Sequence, residues 1–435
     1  AEKYFVSGSF RRDASSRFHK DHRWGNFGSA GVAWLMSQED FMSGADWVNM
    51  LKLKASYGVQ GNDDLGSYYP YSDQYTHSYN EETGEYALVL SYKGNDKLTW
   101  ESSHSFNVGV DFEFFGSRFN GTVEYFNRIT SDLLYSKRVP LSAGNPTGRI
   151  PVNVGSISNA GFEATLEGVL VNTKNVRWDI NANFSHYKNT ILSLDESVAE
   201  DGIKGSNYIY EIGGSLYDAY MYKYAGVNKE TGKAQYYKEV EGEDGTTTVE
   251  ITEIFDEATQ FRCGTVLPKL YGGFGTSLNI YGFDISAQFS YQLGGKYYDG
   301  TYQSLMHTQA SAGQAWHKDA LKAWTPDNTN TDVPRLDGDY TVAQSALDRF
   351  LISSNYLSVN NVTIGYTFPK TWMSKIKVAG LRVYVSGENL AVLSARQGID
   401  PRFSMGLGSY TSGSGLNSGN YSAMRTITGG ITLTF

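Results

Sequence analysis

Three groups of side chains in this 435-residue chain are of the kinds that bind ions or move protons. "FHKDHR" brings together His19, Asp21 and His22, nitrogen and carboxylate donors for a metal, but their spacing matches no common site and the stretch reads as a polar loop tip. "PDNTNTD" sets Asp327, Asn328, Asn330 and Asp332 at the intervals of a calcium loop. It lacks the glycine at the sixth position and the bidentate glutamate at the twelfth, so it reads as structural. Asp111, Glu113, Glu124, Glu163 and Glu167 alternate with apolar residues. They would either line a solute path or simply make a wetted surface polar.

Other motifs lead away from catalysis. "GGFG" (272–275) lies inside an extended run, and "GLGSYTSGSG" (406–415) leads into no helix carrying a lysine, so neither is a phosphate cradle. "GSISNAG" (155–161) is not a nucleophile elbow, which needs a strand-to-helix turn around its serine. The one cysteine, Cys263, has no internal disulfide partner and no set of companion zinc ligands. The sequence therefore points to no enzyme: it names no catalytic residue, metal ligand or cofactor, and substrate-binding residues stay unassigned.

The elements that would position such residues are strands. "SFNVGVDFEFF" sets Phe106, Val108, Val110, Phe112 and Phe114 against Asn107, Asp111 and Glu113. "FDISAQFSYQL" sets Phe283, Ile285, Ala287, Phe289 and Tyr291 against Asp284, Ser286, Gln288, Ser290 and Gln292. "RTITGGITLTF" closes the chain in the same way, on Phe435. Alternation of this kind puts one residue class on each face of a strand. Runs of eight to eleven residues exceed the usual soluble strand, whereas about ten tilted residues cross a bilayer.

About fourteen strands are predicted, near 3–12, 26–36, 50–58, 102–114, 119–128, 160–170, 177–188, 216–225, 234–240, 269–280, 283–293, 355–367, 378–388 and 425–435. Short turns such as 115–118, 171–175 and 281–282 alternate with long connections near 59–101, 129–159, 189–215, 241–268, 294–354 and 389–424. Long loops on one end and short turns on the other suit a transmembrane antiparallel β-barrel. A stretch at 312–324, "AGQAWHKDALKAW", is predicted as a helix packed within a long loop, with Trp316, Ala320, Ala323 and Trp324 on one face.

Composition agrees. Acidic residues exceed basic ones by 46 to 37, which argues against a nucleic-acid surface. Tyr, Phe and Trp number 32, 22 and 8, an excess suited to rings with one dry and one wet end. No apolar run is long enough for a membrane-crossing helix, and no charged start with an apolar core, the mark of a signal peptide, is visible. A passive porin and a soluble carbohydrate-binding β-protein share much of this patterning and remain open on these grounds.

Several stretches, in order, resemble the SusC/RagA family of TonB-dependent outer-membrane transporters. They are "FRRDASSRF" (10–18), "FGSAGVAWLMSQEDFM" (27–42), "LKLKASYGVQGN" (51–62), "LTWESSHSFNVGVDF" (98–112), "YFNRITSDLL" (125–134), "NVGSISNAGFEATLEG" (153–168), "AGVNKETGKAQYY" (225–237), "WTPDNTNTDVPR" (324–335) and "LRVYVSGENLAVLSARQGIDP" (381–401). The resemblance implies an all-β chain of about 14 strands from an expected 22-strand barrel in the bacterial outer membrane, with the plug domain absent from this chain. The long connections would be extracellular. It also implies active import of an oligomeric nutrient, glycan or peptide. The implied partners are a SusD-like surface lipoprotein, TonB acting through the plug, the remaining N-terminal barrel, and outer-membrane lipid. A final aromatic residue such as Phe435 would serve recognition by the barrel-insertion machinery.

Overall fold

The structure is a computed structural model. It describes residues 2–82, 84–143, 145–205, 207–306, 313, 315–336, 347–396, 400–403 and 423–435. The chain forms two compact units: Ala1–Gly168 with Tyr187–Gly202 and Glu211–Gly214, and Val169–His186 with Ile203–Tyr210 and Ser215–Phe435.

In the first unit, β1 (Tyr4–Ala14), β2 (Trp24–Leu35), β3 (Val48–Asn62), β4 (Glu101–Phe114), β5 (Phe119–Ser131) and β6 (Ser156–Asn172) form a ladder in chain order. Every pairing is antiparallel. The connections 36–47 and 115–118 leave one end, and 15–23, 63–100 and 132–155 leave the other. The turn at 115–118 runs through positive φ at Phe115, Gly116 and Ser117. The Asn49 side chain holds it by accepting hydrogen bonds from the Gly116 and Ser117 amides, at 2.7 and 3.2 Å.

In the second unit, β7 (Val176–Ser193) continues to β8 (Leu270–Ile280), β9 (Phe283–Leu293), β10 (Tyr356–Thr367), β11 (Gly380–Ser394) and β12 (Thr426–Thr434), again antiparallel in chain order. The β8–β9 turn uses positive φ at both Tyr281 and Gly282, the two-residue geometry whose twist matches a hairpin. A Cβ on Gly282 would lie 2.8 Å from the Thr367 carbonyl, so the site suits glycine for space as well.

Twelve of the fourteen predicted strands fall on these ladder strands, which run from nine to eighteen residues. The other two are strands of a different kind. Residues 216–225 span Asp218–Tyr222, which pairs with Gln260–Thr265, and the start of Tyr224–Val227. Residues 234–240 lie in Ala234–Glu241, the middle of a three-stranded sheet with Tyr224–Val227 and Thr247–Thr252. Both belong to a single long excursion between β7 and β8.

The predicted helix at 312–324 is a second difference. Its described part is a short 3-10 turn, Lys318–Lys322, because the His317 ring caps the Asp319 amide and the chain bends back so that the Trp324 amide reaches the Val333 carbonyl. Ala320 and Ala323 are buried with Met306 and Val333, as packing within a loop requires, while Trp316 is exposed. Residues 307–312 and 314 of that neighbourhood, and the glycine-rich 406–415, lie outside the described residues.

Candidate functional site

Register sorts the ladder side chains into two faces. Across the first unit, Val6, Val32, Ala55, Val108, Tyr125 and Phe162 stand opposite one another in a single row. Across the second, Trp178, Leu278, Ile285, Ile364 and Val385 form another. These rows are open: Val6 is 82% exposed, Phe162 53% and Val385 55%. Bare apolar rows of this extent mark a surface made for a non-aqueous neighbour.

The opposite face is polar and internally paired. Lys54 lies 3.0 Å from Asp111 and 3.1 Å from Glu124, Lys52 lies 3.5 Å from Asp111, and Thr122 donates to Asp111 at 3.0 Å. The five carboxylates singled out from sequence do share this face. Glu124 pairs in register with Glu163, Asp111 with Thr122, and Asn120 with both Glu113 and Glu167. Two of the five are neutralised by Lys54, and Ser117 donates to Glu113 at 2.7 Å. In the second unit the same face carries Asp284 bound by Arg382 through two guanidinium nitrogens at 3.0 and 2.5 Å. Lys52 and Lys54 were legible as partners only once register was known, since "LKLK" fixes their face but not their neighbours.

Among the described residues, the ends carrying the long connections are packed rather than loose. In the first unit, Phe18 and Phe27 are buried against Trp100, with ring centroids 5.6 and 5.2 Å away. Gly61 gives room for this, since a Cβ there would sit 2.1 Å from the Phe27 ring. Lys137 reaches Asp195 at 2.7 Å, and together with Ser197 it holds that carboxyl down to about 2.

In the second unit, Ala219, Met221, Ala234, Tyr236, Tyr298, Leu347, Phe350 and Leu351 form a core of their own. At its edge Asp299 is fully buried. Its side chain accepts a hydrogen bond from the Tyr302 amide at 2.9 Å, capping the short helix Gly300–Leu305. Arg396 pairs with it at 2.8 Å and lies 3.5 Å over the Tyr302 ring. Burial pushes the Asp299 carboxyl up, against the pull of the Tyr302 amide and Arg396. Nearby, Arg402 grips Asp400 at 2.8 and 2.6 Å and reaches Ser358 and Asn360 on β10. Neither arginine was singled out from sequence. Arg402 sits two residues from its acid, but ninety-odd residues separate Arg396 from Asp299 and no local pattern links them.

His19 and Asp21 meet at 3.2 Å within a tight turn where the His22 amide donates to the His19 carbonyl. The Asn328 amide group donates to the carbonyls of Lys322 and Ala323 at 3.1 and 3.3 Å, so this side chain staples the loop. Asp332 takes part through its carbonyl, which accepts from the Tyr224 hydroxyl. "GGFG" and "GSISNAG" run within β8 and largely within β6. Cys263 is half-buried, its thiol 3.3 Å from the Phe261 carbonyl.

Residues 1–390 match the family described as TonB dependent receptor-like, beta-barrel. A TonB-dependent receptor of Formosa agariphila is 27% identical over 463 residues, taking in 100% of this chain and 44% of the relative. The TonB-dependent receptor SusC of Bacteroides thetaiotaomicron is 27% identical over 430 residues, taking in 93% of this chain and 40% of the relative. Among solved structures, the RagAB peptide transporter matches at TM-score 0.81 and 27% identity, over 100% of this chain and 46% of that one. The RagAB peptide importer in its open-open state matches at TM-score 0.82 and 28% identity, over 100% and 45%. The chain thus spans somewhat under half the length of these relatives. A ladder with one bare apolar face and one ion-paired polar face is what such a wall requires, and the chain belongs to the TonB-dependent receptor β-barrel family of the bacterial outer membrane, in its SusC/RagA branch.

Proposed function

We propose that this chain is the C-terminal wall of an energised importer that carries an oligomeric nutrient, glycan or peptide, across the outer membrane. The observation that supports this best is the match along its whole length to the RagAB importer. In this reading the open apolar rows face lipid and the polar face lines the lumen, so that every backbone group in the membrane is paired along a ladder. The outer edges of β1 and β12 take strands from the rest of the protein, because long bare edges do not persist in lipid. That remainder also supplies the plug through which TonB pulls. The packed long connections face outside, where a SusD-like lipoprotein closes over them. Their role is capture and lid docking, and the wall residues do no bond chemistry.

The test uses the full-length protein in its own membranes. After a carbonate wash and detergent extraction, native mass spectrometry is expected to find it travelling with a surface lipoprotein. Uptake of an oligomeric nutrient is expected to stop when TonB is deleted. Release into buffer without detergent, or uptake indifferent to TonB, would overturn the reading.

A further inference from the structure

The connection 368–379, between β10 and β11, carries a short helix at the short-turn end of the second unit. It reads "FPKTWMSKIKVA" and holds three lysines and no carboxylate. Met373 is buried and fixes the short helix Lys370–Met373 to the wall, while Trp372 is 55% exposed and Ile376 61%. Lys370, Lys375 and Lys377 are exposed, and among the described residues none of them has an ion-pair partner.

A chain of rings ties Trp372 to the apolar face. Phe283 and Tyr366 stand in register on that face with centroids 4.6 Å apart. Tyr366 continues to Phe368 at 5.0 Å, and Phe368 to Trp372 at 6.5 Å. The indole is therefore a continuation of the lipid-facing surface at its rim, where amphipathic rings settle. Unpaired lysines set around such an anchor are positioned for lipid phosphate.

We propose that residues 368–379 form a seat for anionic phospholipid, with Trp372 and Ile376 entering the acyl boundary and Lys370, Lys375 and Lys377 binding phosphatidylglycerol-type headgroups. The choice of phospholipid rests on the reading that the short-turn end faces the periplasm. Charge complementarity and continuity with the lipid-facing rings select this occupant. Each lysine near an anionic surface strengthens attachment roughly fivefold, and salt screens the effect.

The test titrates the full-length transporter with phosphatidylglycerol and, separately, phosphatidylcholine under native mass spectrometry. The variant carries Lys370→Gln, Lys375→Gln and Lys377→Gln; the control carries Lys20→Gln, Lys97→Gln and Lys229→Gln in the long connections. The expected result is a loss of phosphatidylglycerol retention of roughly a hundredfold in the first variant only, with phosphatidylcholine retention unchanged. Equal retention by variant and parent, or a parallel loss of both lipids, overturns the proposal. Orientation is judged separately by labelling Ser374→Cys, in a chain whose Cys263 is replaced by Ser, with a membrane-impermeant maleimide. Labelling only after the envelope is opened agrees with a periplasmic seat. Labelling of intact cells would refute the orientation, and with it the phospholipid source, whatever the titration shows.

Discussion

Replacing Arg396 with glutamine would test whether the long connections of the second unit are held as a built structure. The substitution strips the guanidinium partner from a carboxyl with no solvent access. Asp299 then has two courses at pH 7. Staying charged in a broken buried pair costs roughly 3–5 kcal/mol. Taking up a proton, from an ordinary value of 3.8, costs about 4.4 kcal/mol at 1.36 kcal/mol per pH unit. Arg396 is itself 28% exposed, so the lower end applies: about 3 kcal/mol, or roughly 150-fold in local opening. The readout is hydrogen exchange at Asp299, Tyr302 and Gln303, whose amides bond the Phe350 carbonyl, the Asp299 side chain and the Asp299 carbonyl. Because burial raises the Asp299 carboxyl, the folded loop binds its proton more tightly than the unfolded chain does. That contribution is complete below the ordinary value and is lost as pH rises through the raised one. The variant is therefore expected to regain protection on acidification. Adding Asp299→Asn, which removes the charge but keeps an acceptor for the Tyr302 amide, is expected to recover much of the loss at pH 7. Unchanged exchange in the single variant, or equal loss in the double, would refute the reasoning.

Two further outcomes follow from the geometry. Ala287→Arg places a charge on the lipid-facing side midway along β9 and is expected to cost about 2–4 kcal/mol near the membrane centre, whereas Ser286→Arg, the residue before it and facing the lumen, is expected to fold as the parent does; urea titration of the refolded barrel distinguishes them, and equal effects would dissolve the assignment of faces. Asp195→Asn removes a carboxylate held down to about 2 by Lys137 and Ser197, so the parent's advantage is expected in full above about pH 4 and to vanish as pH falls through about 2. Its size is about 1–2 kcal/mol after allowance for a partly exposed pair, read as protection of connection 132–155.

The wall was legible because alternation is a local property. Each of Ile285, Ala287 and Phe289 announces its face by its own neighbours, and the aromatic stop at 281–282 announces the turn. The five carboxylates were placed on one face for the same reason. Their neutralisation was not legible: whether Lys54 meets Asp111 depends on the β3–β4 register, which the long connection 63–100 leaves to the pairing of the apolar faces and which shifts at a bulge near Val48. Asp299 and Arg396 meet only because two long connections pack together, a tertiary fact without a sequence period.

Two of the predicted strands, 216–225 and 234–240, lie outside the ladder. "LYDAYMYKY" and "KAQYYKEV" alternate as cleanly as the wall does. Their alternation has a different cause, since Ala219, Met221, Ala234 and Tyr236 point into a small protein core rather than towards lipid. Period two reports one dry face and one wet face, and both neighbours satisfy it. What separates them is length and exposure. Asp218–Tyr222 is five residues with Ala219 and Met221 wholly buried, while β9 is eleven with Phe283 at 47% exposure. A strand whose apolar side is buried by its own chain can be short, because packing partners supply its stability. One whose apolar side is left to lipid must be long enough to cross the lipid. In this chain, strand length and exposure separate the wall from the excursion, and alternation alone does not.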